Sequence, residues 1–338
     1  MAETTEQTFS TPEGCDLSVR NVSGAVTVEG WERPETQVTV TKHEDWAEVQ
    51  IEQEGRHVTV RTKDDRGAEG LLDLLLRHRT PKVDYAIRVP FSSNLDIRNV
   101  NGPIQVAHVR GNAVTRNVDG PTRLNEVSGS VTSETVNGPV EATQLQGEAK
   151  LKAVNGRLAL LGGKMRSVAA DAVNGEIDAQ IAIEGGGSYS FKTVNGSCHL
   201  TIPSNANAHV MVHGVNSGVD SALLTRSLER SFGRWEATIG DAGAQVAEIS
   251  FHTVNGRLRL DAGEAGAPQA APSPTSTEEP AVASQPSEAP TTGFVAKATD
   301  TPSDAQGPDL GATRKQVLEM LDAGQITVEE ALERLRKL

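Results

Sequence analysis

Glycines stand at positions 102, 111, 120, 129, 138, 147 and 156, nine residues apart without a slip. So strict a period leaves few folds open. A nine-residue unit is too short to bury an apolar face alone, so successive units must stack on one another. On this grid the third place carries Ile104, Ala113, Thr122, Val131, Val140, Ala149 and Leu158. The fifth carries Val106, Thr115, Leu124, Ser133, Ala142, Leu151 and Leu160, and the eighth Val109, Val118, Val127, Val136, Leu145 and Val154. Alternation across places three and five is that of a strand, and the shift to place eight needs a corner between them. All three places are expected to face inward.

The grid also alternates. Every second unit ends in Asn-Gly or a close relative, at Asn101, Asp119, Asn137 and Asn155, while the units between end in Arg110, Ser128 and Gln146. One coil is therefore about eighteen residues with two similar sides, and Asn174, Asn195, Asn216 and Asn255 continue the series in longer coils. The last step, from Asn216 to Asn255, leaves room for two coils or for one coil with an insertion. Asn-Gly tolerates the positive φ of a tight turn, and one Asn per coil can hydrogen-bond up and down the stack as a ladder. The cognate stretches "SFKTVNGSCHL" and "SFHTVNGRLRL" put Phe191 and Phe251 at the fifth place.

Upstream, "DLSVRNVSGAVTVEGW" carries the same signal, followed by the alternating runs "TQVTVTKH", "AEVQIEQ" and "RHVTVRT". These read as longer β elements that begin the stack. The run "AEGLLDLLLRHRTP" lacks strand alternation and predicts a helical insertion near 68–80, with Leu71, Leu72, Leu74, Leu75 and Leu76 covering an open side of the stack. The first eight residues have no apolar pattern and are expected to be disordered. Residues 262–311 hold eight of the sixteen prolines and seven acids against one base, which predicts a disordered acidic linker.

The C-terminal stretch 312–338 shows two helical stripes, Val317–Leu318–Leu321 and Val328–Ala331–Leu332–Leu335. Gly324 suits the turn between them, and Thr327 with Glu330 forms a capping box. A hairpin this small cannot sustain a core, so it must self-associate, dock back or bind a partner. Val317, Leu321, Leu332 and Leu335 are its expected contact residues.

The order "FSTPEGCDLSVRNVSGAVTVEGW", "VDYAIRVPFSSNLDIRNVNGPIQV", repeated "TVNG" and "TIGDAGAQVAEISFHTVNGRLRL" resembles the bacterial putative-adhesin family of β-solenoid domains, over residues 9–261. The closing hairpin is similar to the SHOCT-like domain that accompanies such solenoids in bacterial envelope-stress proteins. The resemblance implies an all-β, right-handed β-solenoid of about 18–21 residues per coil, and brings no catalytic residues with it.

The chemistry a sequence can advertise is sparse here. A net charge of -13 argues against nucleic acid as a partner. Cys15 and Cys198 sit in alternating runs and read as small buried hydrophobes. A calcium roll also uses nine-residue units but needs paired glycines and a recurrent Asp, and only Asp119 stands on this ladder. His209 and His213 fall on one strand face with His199 nearby in sequence, yet no carboxylate or cysteine cluster joins them at ligand spacing. Glu126 with Glu134, and Asp171 with Glu176, are the carboxylate pairs that a sugar-cleaving β-helix would need, and neither stands out from an acidic background.

No residue is therefore assigned to catalysis, a cofactor or a metal. The expectation is a non-catalytic scaffold, cytoplasmic because "MAETTEQTFS" has neither the basic nor the apolar part of a signal peptide. Its partner is a protein or a second copy engaged through the hairpin. The rivals are a polymerising, bactofilin-like cytoskeletal solenoid and a carbohydrate-binding or carbohydrate-cleaving β-helix.

Overall fold

The computed structural model describes residues 3–44, 46–63, 81–222, 225–231, 234–240 and 245–263. Over these the chain is all β, one continuous coiled sheet around an apolar core. The helical insertion near 68–80, the linker from residue 264 onward and the hairpin 312–338 lie outside the described residues.

The repeat forms a stack of parallel coils. β8 (Asn94–Asn101) and β9 (Ile104–Ala107) make one coil, and β10 (Ala113–Asp119) and β11 (Thr122–Asn125) the next. β12 (Ser128–Asn137) leads into the long strands β13 (Val140–Asn155), β14 (Leu158–Asn174) and β15 (Ile177–Asn195), each of which turns a corner. Asn101, Asp119, Asn137, Asn155, Asn174 and Asn195 fall in one register column. Successive rungs along it are 18, 19 and then 21 residues apart. The expected coil length holds.

Each coil has two walls. On the first, places three and five give the buried column Leu95, Ala113, Val131, Ala149, Val168, Tyr189 and its neighbour Ile97, Thr115, Ser133, Leu151, Ala170, Phe191. The second wall answers with Ile104, Thr122, Val140, Leu158, Ile177 and Val106, Leu124, Ala142, Leu160, Ala179. Thr115 and Ser133 are buried as a pair, their hydroxyls 2.9 Å apart. Phe191 and Phe251 lie in register with no exposure, and burying each contributes about 1.5–3 kcal/mol.

Before this stack, β2 (Asp16–Ser23) and β3 (Val26–Trp31) form a coil that pairs with β8 and β9 on one side. On its other side β6 (His57–Lys63) and β7 (Val83–Pro90) run parallel to it. β5 (Glu48–Glu54) closes the first wall and β4 (Glu35–Lys42) extends the second, both antiparallel. β1 (Glu3–Ser10) then pairs with β4 along all eight of its residues. The expectation of a disordered stretch 1–8 is corrected for residues 3–8, which are strand, while residues 1–2 lie outside the described residues. The strand's residues are almost all exposed, so backbone pairing holds them rather than the apolar burial that composition registers.

At the far end the chain changes order. After β16 (Cys198–Pro203), β17 (Ala208–Ser221) is placed one layer out, and β18 (Thr225–Ser231) and β19 (Arg234–Ile239) return antiparallel. β20 (Ala247–Gly263) then inserts between, parallel to β15 and β16 on one side and to β17 on the other. The 39-residue step is thus one coil with a hairpin insertion, which is why Asn255 sits beside Asn195 from 60 residues away.

The two corners differ, and this corrects the reading of place eight. Val109, Val127 and Leu145 are buried, but Val118, Val136 and Val154 are 45%, 41% and 41% exposed. Before Val109, Val127 and Leu145 stand His108, Glu126 and Gln144, with φ of 58°, 51° and 55°. One left-handed residue shifts the alternation, so place eight turns inward. At the Val-Asn-Gly corner no such residue intervenes. Alternation simply continues to place seven, burying Asn117, Thr135 and Ala153 and leaving the valine outside.

The glycine that follows turns the chain. Gly120 has φ +131°, and a Cβ there would lie 2.4 Å from the Gly102 carbonyl oxygen one coil away. Only glycine allows coils to stack this closely.

Candidate interaction surface

The Val-Asn-Gly corner carries three parallel columns. Innermost are Asn21, Asn99, Asn117, Thr135, Ala153, Ala172, Thr193 and Thr253, all buried. The Asn117 amide donates to the carbonyls of Gly102 and Gly120, both at 3.0 Å, tying two coils together at the turn. Outermost is the asparagine ladder, in which Asn155 donates to Asn137 at 3.0 Å and Asn174, Asn195 and Asn255 each donate to the rung before at 3.1 Å. The triplet's asparagine is structural, as its spacing implies.

Between these columns lies the valine. The register places Val22, Val100, Val118, Val136, Val154, Val173, Val194, Val254 and Val215 on successive coils. From Val100 to Val254 their exposure is 40–47%, and Val215 reaches 80%. Except for Trp46, these eight from Val100 onward are the large apolar side chains classed as exposed among the described residues. With coils about 4.8 Å apart, nine rungs make a straight apolar edge of about 38 Å. Its sequence signal was the "V" of each "VNG", which the inward assignment of place eight concealed.

The flanking outward column is polar: the charged Arg20, Arg98, Arg116, Glu134, Lys152, Asp171 and Lys192, then the histidines His252 and His213. Arg116 lies 3.2 Å from Glu134, which also meets Lys152 at 3.8 Å. On the second wall Arg123 pairs with Glu141 at 2.9 Å and Arg157 with Asp178 at 2.6 Å. Glu134, Glu141 and Asp178 are thus engaged by cations on neighbouring coils.

The residues weighed for chemistry are not brought together. His209 meets Glu236 at 2.8 Å, His199 meets Asp261 at 2.8 Å, and His213 faces His252 with ring centroids 5.2 Å apart. Glu126 pairs with His108 and Glu134 with Arg116, while Glu176 accepts from the Ser197 hydroxyl at 2.9 Å. Among the described residues no cluster of three or more His, Cys, Asp or Glu is arranged to hold a metal. Cys15 and Cys198 are free and fully buried, and burial raises both thiols above their ordinary range. Neither is a poised nucleophile.

Residues 15–260 match the family model described as Toastrack DUF4097. No curated protein matches the chain. Among solved structures, similarity extends to a putative adhesin from Bacteroides fragilis NCTC 9343, at 10% identity and a TM-score of 0.40 over 76% of this chain and 97% of that one. A putative adhesin from Parabacteroides distasonis ATCC 8503 aligns at 10% identity and 0.33, again over 76% and 97%. A putative lipid binding protein from the same organism aligns at 12% and 0.31, over 76% and 96%.

Proposed function

The chain belongs to the Toastrack DUF4097 family, and from that premise we propose that it is a non-catalytic β-solenoid scaffold whose Val-Asn-Gly corner is an interaction surface. The observation that carries this reading is the exposed valine column, eight coils long from Val100 onward, beside charges that pair with one another. Exposed apolar surface that is contiguous and rimmed by polar groups marks a place where something binds. The C-terminal hairpin, tethered by the acidic linker, is the second element of the proposal. Val317, Leu321, Leu332 and Leu335 are its contact residues, for a protein partner or for self-association, and the chain works in the cytoplasm.

The test is affinity capture with three proteins: the full chain, a chain ending at Gly263, and the full chain carrying Leu321→Asp with Leu332→Asp. Partners assigned to the hairpin fall at least tenfold with both altered proteins. Partners retained by all three but lost on Val136→Lys with Val154→Lys belong to the corner. If no change in either element alters capture, the scaffold reading is wrong. Specific binding on a glycan array, abolished by changes on the outward walls, would instead support the carbohydrate reading.

A further inference from the structure

We propose that the valine ladder is a self-association surface on which a second copy of the chain lies. The two stacks run parallel, ladder against ladder, about a two-fold axis directed along them. This rests on the scaffold reading above and names the first occupant of its surface.

Three observations lead there. The first is constancy in an unexpected place. On nine coils this position is valine every time, while its inward neighbour runs Asn, Asn, Asn, Thr, Ala, Ala, Thr, Thr and Gly, from Asn21 through Thr253 to Gly214. A core requirement would fix the inward residue, yet the outward one is fixed. Strand propensity does not account for it either. Threonine has the same branched shape and also suits a strand, yet none of the nine is threonine. What is held constant is an apolar edge.

The second is the period of that edge. Its rungs are about 4.8 Å apart, and only a surface with the same repeat meets each of them. A helical ridge advances about 5.4 Å per turn, so from Val100 to Val215 it slips by nearly a whole rung. Alternate residues of an extended peptide stand about 6.8 Å apart and fall out of step sooner. A parallel β stack has the right repeat, and a second copy of this corner offers it with an apolar group on every rung.

The third is the area and charge of the corner. The valines, the polar column about 6.8 Å before them and the asparagine ladder beside them form a strip about 15 Å wide, so pairing covers about 600 Å² per copy. The total of about 1,200 Å² is at the lower edge of stable interfaces, which predicts self-association in the micromolar range. Charge selects the symmetry. A two-fold axis across the stack would set the column of Arg20, Arg98, Arg116, Lys152 and Lys192 against itself, mostly cation on cation. An axis along the stack sets each copy's polar column against the other's asparagine ladder. There an amide carbonyl accepts from Arg or Lys, and an amide N–H donates to Glu134 or Asp171.

The test is sedimentation of the full chain over a concentration series, with three double variants: Val136 and Val154 both to Lys, both to Glu, and both to the isosteric Thr. The unaltered chain should form a dimer. Each charged variant should associate at least tenfold more weakly, with the threonine variant between and its melting temperature unchanged. An equal mixture of the lysine and glutamate variants should restore the dimer, because the parallel arrangement sets each altered position opposite itself. Val118→Cys and Val194→Cys, made singly, should each crosslink to a second copy of the same variant on mild oxidation, since Cys15 and Cys198 are buried out of reach. A chain that stays monomeric overturns the proposal, as does a dimer that neither charged pair weakens. Crosslinking of 118 to 194 in a mixture, but of neither to itself, means antiparallel ladders and overturns the parallel arrangement. A monomer that still captures outside partners through the corner gives the ladder to another protein, so this proposal then fails while the scaffold reading stands.

Discussion

At the scale of the residue, the corner glycines hold the coils at stacking distance. Gly120→Ala would force a Cβ to 2.4 Å from the Gly102 oxygen while keeping φ at +131°, a region closed to L-residues. Backbone strain and overpacking together should cost about 3 kcal/mol or more, read from the shift of a urea midpoint at constant slope. Gly55→Ala is the control. Its φ is +61° but nothing lies within 4 Å of the added Cβ, so about 1 kcal/mol is expected. Equal losses at the two sites would mean that coil stacking is not what the corner glycine permits. Thr135 offers the opposite sign. Its hydroxyl is buried without a partner, so Thr135→Val should be neutral or stabilise by up to about 1 kcal/mol in the same titration.

At the scale of the element, period was legible and phase was not. Places three and five were read correctly from Ile104 to Leu160, because alternation within a strand is set by the pleat alone. Place eight follows a corner, and whether it faces in depends on one residue at positive φ. His108, Glu126 and Gln144 carry no sequence mark of that conformation, since none is glycine or asparagine. The exposed ladder was hidden for that reason. β1 was missed because its polar residues are held by backbone pairing, and the order β15, β20, β17 because a one-dimensional period cannot show a late strand inserting. The Asn-Gly rungs, by contrast, were legible as structure, for they need only their neighbours.

The stacked histidines make the last coils sensitive to pH. His252 lies between Lys192 on β15 and His213 on β17. Burial, then the charge of His213, then that of Lys192 lower its pKa from 6.5. The folded state therefore releases this proton more readily than the unfolded one. Its stability is full above the ordinary histidine value and falls as the pH drops through it. Asp16, Asp84 and Asp261, all lowered from 3.8, contribute stability that is lost only in a more acidic window. Melting temperatures between pH 7.5 and 5 should decline for the unaltered chain and decline less for His252→Gln. Identical slopes would show that the pair is not responsible.

At the scale of the whole molecule, a stack of coils has to end, and each end is a template for further pairing. Among the described residues, the outermost strand of the first wall at the start of the stack is β5, bearing Glu48, Glu52 and Glu54, and that of the second wall is β1, bearing Glu3 and Glu6. All five are exposed and of one sign, so an incoming strand of another copy would meet acids along both walls. Such placement discourages growth by end-to-end stacking, the behaviour required of a polymerising solenoid. The unaltered chain should remain of low mass in light scattering, without filaments in negative stain. Replacing all five glutamates by threonine removes the repulsion and keeps strand propensity, so this variant should form end-to-end assemblies whose abundance rises with concentration. Filaments of the unaltered chain at modest concentration would reverse the conclusion and make the cytoskeletal reading the better one. If neither protein assembles, the strands themselves rather than their charges cap the stack, and charge is removed from the explanation.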